Sequence, residues 1–216
     1  MLSLKIQLFG GRGSRSKIAN NLMDSYNNHE HKTNSEIIEI NAQTHSNLND
    51  WEKDIRNNKY ETMIVFDSKG VPIKAYVGSD YKTAFPGEEA LKWSGYTLTH
   101  NHPSGGTFSP EDIYNFARYK LSESRVVTKN TTFIIKSTEN ANYRDLCIMI
   151  TINKNKIESK IKEFYNDELN KYLSVPVKKR EPFSVGHNKI ISKINYMLFD
   201  YYSSMCSKTG FEYLEI

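Results

Sequence analysis

The chain has 216 residues, 38% hydrophobic and 25% charged, and its 29 basic and 25 acidic side chains leave a formal charge of +4. That length can bury a sizeable core, while so mild a charge excludes nucleic-acid binding argued from electrostatics alone. No apolar run is long enough to span a bilayer, and two cysteines without CxxC spacing, Cys147 and Cys206, exclude a disulfide framework.

In chain order, residues 1–50 read as a flexible N-terminal arm. "FGGRGSRSK" is rich in Gly, Ser and Arg, and only "IIEI" (residues 37–40) has the look of a short strand. "QLFGGRG" resembles a short tag found at chain ends in tailed-phage proteins, which would make the protein a phage or mobile-element effector acting in a host cell. The opening is not a secretory signal, and the cysteines read as buried thiols of a reducing compartment, so the expected location is cytoplasmic.

Residues 51–138 read as the core. Met63 to Phe66 and Val71 to Val77 are apolar runs around "DSKG", the signature of a β-hairpin. "PGEEALKWSG" predicts a short helix, "YTLT" a strand, "SPEDIYNFARYKL" a helix, and "RVVTKNTTFIIKS" a second strand pair. Residues 139–216 form a helical extension packing on the core. It carries two apolar stripes, one through Ile157, Ile161, Phe164, Tyr165, Leu169 and Tyr172, the other through Ile190, Ile191, Ile194, Leu198, Tyr201 and Met205. Lys178-Lys179-Arg180, between the stripes, reads as a solvated linker. The fold class is α/β (α+β): a small mixed β-sheet flanked by helices, with a C-terminal helical extension.

One stretch carries chemistry. In an extended "YTLTHNH" the side chains alternate, so His100 and His102 point to one face, close enough to share a metal ion. Pro103 ends the strand and Ser104-Gly105-Gly106 turns the chain. Ser109 is a good helix N-cap, Pro110 suits the first helical position, and Asp112 falls in the first turn. Capping alone would explain Asp112. Together with the histidine pair it completes three ligands with one position open, the make-up of a catalytic zinc site.

"THNHPSGGTFSPEDI" resembles the JAMM (MPN+) metalloprotease motif, HxHP followed by SxxD, and most closely its RadC-like JAB-domain branch, which carries "HNHPSG". The resemblance covers roughly residues 60 to 135 and includes the order of hairpin, short helix and strand upstream. It implies zinc (Zn2+) held by His100, His102 and Asp112, with Ser109 helping to hold a developing oxyanion. It also implies a general base, a glutamate on an earlier strand. Pro103 and Ser109 enclose five residues where the family usually has six, which could shift Asp112 relative to the histidines.

Glu61, on the face of Met63 and Val65 at the start of the hairpin, is the expected base. Glu88 and Glu89 are its rivals, although both fall in a helical first turn where acids belong for the dipole. Glu111 should point elsewhere on its helix. His29 and His31 lie in a polar stretch without ligand architecture, His45 is isolated, and His187 reads as a capping or packing residue. The first functional reading is a JAMM-type zinc hydrolase cleaving an amide, isopeptide or peptide bond in a peptide or protein-conjugate substrate, with no membrane partner. The alternative is a RadC-like non-catalytic metal-containing module, binding protein or touching nucleic acid through the Arg12, Arg15 and Lys17 arm and through Lys178-Lys179-Arg180. Only the first has a use for Glu61.

Overall fold

Each residue of β2 (Thr62–Phe66) is buried, as expected of a strand covered on both faces. The computed structural model describes residues 38–40, 42, 45–78, 85 and 87–216. The expectations for the arm's glycine-rich opening, for His29 and His31, and for Arg12, Arg15 and Lys17 lie outside the described residues.

The elements before the site are β1 (Ile38–Ile40), α1 (Leu48–Ile55), β2, β3 (Pro72–Val77), α2 (Gly87–Ala90) and β4 (Thr97–Asn101). After it come α3 (Pro110–Arg118), β5 (Glu123–Val127), β6 (Thr132–Ser137), α4 (Tyr143–Ser174), α5 (Phe183–Lys208) and β7 (Phe211–Glu215). The fold is α+β. One seven-stranded sheet runs in the order β1-β3-β2-β4-β5-β6-β7, and all of its pairings are antiparallel except β4 with β5. Two parallel neighbours need a crossover, and α3 supplies it.

The β2–β3 hairpin forms where "DSKG" predicts it. Asp67 Oδ1 accepts from the backbone N–H groups of Lys69 and Val71, both at 2.9 Å, which closes the turn. Residues 38–40 of "IIEI" form β1, against β3. The extension is not wholly helical, since its last residues return to the sheet as β7 beside β6. Short alternating "FEYLE" gives little periodic signal after a long helical stripe, and pairing with an open sheet edge decides it.

The strands' alternation builds two cores. Ile64, Phe66, Ala75 and Val127 face α1, where Trp51 and Ile55 are fully buried. Met63, Val65, Leu98, Val126, Phe133 and Ile135 face the other way, toward α3 and the long α4–α5 hairpin. Along α4, Ile157, Ile161 and Tyr165 are buried, and along α5 so are Ile190, Ile191, Ile194, Leu198 and Met205, following the expected stripes. Tyr202 rather than Tyr201 reaches the interior. The hairpin closes tightly at Gly186, where an added Cβ would lie 2.4 Å from the Tyr172 ring. Cys206 is buried and its thiol is pushed up to about 12 by that burial, whereas Cys147 is only half-buried.

α1 is held by charge as well as apolar burial. Arg125 Nε donates to Glu52 Oε1 at 2.6 Å beneath the helix, Arg125 Nη1 reaches Glu123 at 2.8 Å, and Thr99 Oγ1 donates to Glu52 at 3.0 Å. A buried carboxylate is tolerable because these donors satisfy it. Glu52→Ala leaves Arg125 buried with one partner fewer. It should cost about 3 kcal/mol of unfolding free energy, read as a lower urea midpoint with an unchanged slope.

Candidate metal centre

Strand β4 positions both histidines. Its inward side chains are Leu98 and His100, and the Met63–His100 pairing ties that face to β2. His102 lies just past the strand but keeps the ladder, its N–H donating to Val127 O at 2.9 Å. The chain then turns through Gly105, whose φ of +81° belongs to the left-handed region, so glycine is needed there.

Ser109 caps α3 as its sequence predicts. Asp112 N donates to Ser109 Oγ at 3.2 Å, while Ser109 N and Oγ both donate to Asp112 Oδ2 at 2.7 Å. This reciprocal box freezes the Asp112 rotamer and commits the hydroxyl's one proton to it. Ser109 is therefore placed to orient Asp112. A donation from the same hydroxyl to an oxyanion would first have to break that bond.

The three groups meet. His100 Nε2 lies 3.0 Å from His102 Nε2 and 3.5 Å from Asp112 Oδ1, and His102 Nε2 lies 3.6 Å from Asp112 Oδ2. Tetrahedral bonds of 2.0–2.1 Å put neighbouring ligand atoms about 3.3 Å apart, and the observed spacings bracket that edge. His100, His102 and Asp112, largely buried together, can thus hold a metal ion.

The imidazoles are held differently. His102 Nδ1 lies 3.0 Å from Gly106 O and 3.1 Å from Thr107 O. Carbonyls only accept, so Nδ1 carries the proton and the Nε2 lone pair faces its fellow ligands, the tautomer a metal requires. His100 Nδ1 is buried with no hydrogen-bond partner among the described residues. Burial alone would raise the Asp112 pKa, but the charge and hydrogen bond of His100, with help from His102 and Ser109, hold this carboxyl well below the usual range. A carboxylate kept ionised beside two imidazoles suits a cation.

Glu61 comes to the same place. It is buried, and its Oε1 lies 3.8 Å from His102 Nε2, one step outside the ligand set. The rivals are employed elsewhere. Glu89 accepts from the Tyr76 hydroxyl at 3.1 Å and pairs with Lys74 at 3.6 Å, and Glu88 is exposed. Glu111 pairs with Lys154 at 2.9 Å on the rim of the cavity that the ligands share. His45 contacts Asp54 and Trp51 on the α1 face, and His187 stacks on Phe183 in the α4–α5 hairpin. The Lys178–Arg180 run forms an exposed turn there, Arg180 donating to backbone carbonyls.

Two asparagines outside the expected site residues support the centre. Asn101, between the histidines, points to the opposite face. Its Oδ1 accepts from Thr62 N at 2.7 Å and its Nδ2 donates to Asn58 O at 3.2 Å, fixing the backbone next to Glu61. The strand alternation that paired the histidines already sent Asn101 to that face. Asn195, on α5, donates to Gly105 O at 2.8 Å and accepts from Thr107 N at 3.0 Å. It clamps the loop whose carbonyls hold His102. Nothing in the sequence signals this, because Asn195 only borders an apolar stripe.

No protein-family model matches the chain, and neither the curated proteins nor the solved structures contain a match to it. The centre therefore rests on its own geometry. Groups that orient ligands from outside are typically worth 10–100-fold in metal affinity. Asn195→Ala should weaken metal binding by about tenfold or more on that scale, measured with added zinc as the probe ion by competition with a chromogenic chelator. Unaltered affinity would make Asn195 a packing residue.

Proposed function

We propose that the chain is a zinc-dependent hydrolase of the JAMM type, cleaving an amide, isopeptide or peptide bond. One observation carries the reading: a buried carboxylate, Glu61, stands 3.8 Å from a ligand nitrogen and lines the same cavity as the ligands. Two imidazoles and a carboxylate also suit ferrous iron. An oxygenase, like a purely binding module, has no need of a general base, whereas hydrolysis does.

Zinc, when bound, would supply Lewis acidity, polarising a carbonyl and lowering the pKa of water to about 7. The protein's own residues do the rest. His102 is oriented by the Gly106 and Thr107 carbonyls and Asp112 by Ser109, so two of the three ligands are preorganised. Glu61 takes the proton of the attacking water and delivers it to the departing amine nitrogen, so that the C–N bond breaks with a neutral leaving group. Asn101 holds the Thr62 N–H and thereby the backbone from which Glu61 projects. The loop between Pro103 and Ser109, shorter than the JAMM pattern, still delivers Asp112 within 3.5–3.6 Å of both imidazoles.

Elemental mass spectrometry on purified protein should find about one zinc per chain, lost in His102→Ala. Glu61→Gln should retain the zinc yet lose peptide or isopeptide hydrolysis by about 10²–10⁴-fold, the usual worth of a general base. Protein that takes up no zinc at neutral pH would overturn the proposal, as would a Glu61→Gln variant of full activity.

A further inference from the structure

The ligands share a cavity of about 250 Å³ with eleven other lining residues. Its walls follow from the elements that carry the ligands. On β4, Leu98 shares the face of His100, two residues back, hence about 6.6 Å along the strand. On α3, Phe116 lies one turn below Asp112 on the same helical face, and Tyr119 follows it at the helix end. Leu121 and, from β5 beside Leu98, Ser124 complete the far end. Leu98, Phe116, Leu121 and Ser124 are all buried. The rim differs, since Glu111 and Asn115 also line the cavity and Glu111 is solvent-exposed. The lining is thus polar around the ligands, with an apolar chamber beyond them.

Resting on the hydrolase reading above, we infer that this chamber is a specificity pocket for one large apolar side chain, aliphatic or aromatic, on the residue flanking the bond to be cut. Three observations fix the class. The whole cavity, metal end included, falls below the usual 300–1,000 Å³ of small-ligand sites, so its apolar part admits a side chain rather than a folded segment. The apolar wall begins about 6.6 Å from His100 along β4, within reach of a side chain whose own carbonyl sits at the ligands. Among the described residues no cationic side chain lines the chamber, and the carboxylates that do line the cavity, Glu61, Asp112 and Glu111, stand at the metal end or the rim. An acidic substrate side chain would find no partner inside, and a basic one would be drawn to the carboxylates at the metal end or the rim. An apolar one gains from burial in proportion to the area it hides.

The test uses the full chain loaded with zinc and a series of N-acetyl amino-acid hydroxamates, whose common head group seeks the metal while the side chain varies. Calorimetry should show the leucine and phenylalanine compounds binding at least tenfold more tightly than the glycine compound, with the lysine and glutamate compounds gaining nothing. Ser124→Leu, which fills the chamber from β5, should erase the apolar advantage, with zinc content and circular dichroism monitoring its fold. If the glycine compound binds but side chains make no difference, or charged ones bind best, the pocket inference falls and the metal reading stands. If no hydroxamate binds the zinc-loaded chain, both fall.

Discussion

The structure turns on one strand that must serve two faces. β4 is central, so its outward residues belong to the α1 core and its inward residues to the core under α3 and the α4–α5 hairpin. Alternation then divides "THNH" without further instruction. Thr99 and Asn101 go outward, to Glu52 and to the backbone of Asn58 and Thr62, while His100 and His102 go inward. A one-residue slip in register would exchange the two sets. It would bury the imidazoles under α1 and set amide and hydroxyl groups where the ligands belong. The polar partners on the outward face thus help to keep the ligands on the inward one.

The parallel pairing of β4 with β5 supplies the second requirement. A chain leaving β4 must cross over before it returns beside it, and the crossover helix begins where β4 ends. Open α/β sheets gather ligands outside the carboxyl ends of their strands for the same topological reason. Here the crossover begins with a capping box, and its Asp112 both closes the helix start and faces the histidines. Capping and ligation do not compete. Oδ2 accepts both donors of Ser109, and Oδ1 is left for His100.

Much of this was legible in the sequence because it rests on local rules. The hairpin around "DSKG", the strand into His100, the cap at Ser109 and the crossover helix all follow from periods of two or 3.6 and from turn chemistry. Alternation also set Glu61 on the face of Met63 and Val65, although its choice as the base came from the family resemblance. What escaped was tertiary. β7 is a short strand whose pairing depends on an edge provided by β6, far away in the sequence. Asn195 acts through two backbone atoms of a distant loop, and no local pattern encodes that contact. Ser109 was legible as a cap, but that its hydroxyl proton is spent on Asp112 emerges only from the packed geometry.

The long hairpin is part of the centre rather than an appendage to it. The turn from Pro103 to Phe108 carries two glycines and has few apolar side chains of its own with which to fix its shape. Its carbonyls nevertheless have to meet His102 Nδ1. Asn195 addresses this from α5, bonding one carbonyl and one N–H of the same turn, and Ile191 lies beneath Gly105. At the loop's far end, the Thr107 hydroxyl forms a short hydrogen bond with that of Tyr213, on β7. Both anchors come from the last 22 residues of the chain, Asn195 midway along α5 and Tyr213 on β7. A turn rich in glycine costs more conformational entropy to order than most. Contacts from α5 and β7 offset that cost, so the metal-binding geometry is a property of the whole sheet-and-hairpin assembly, not of the motif that first marks it.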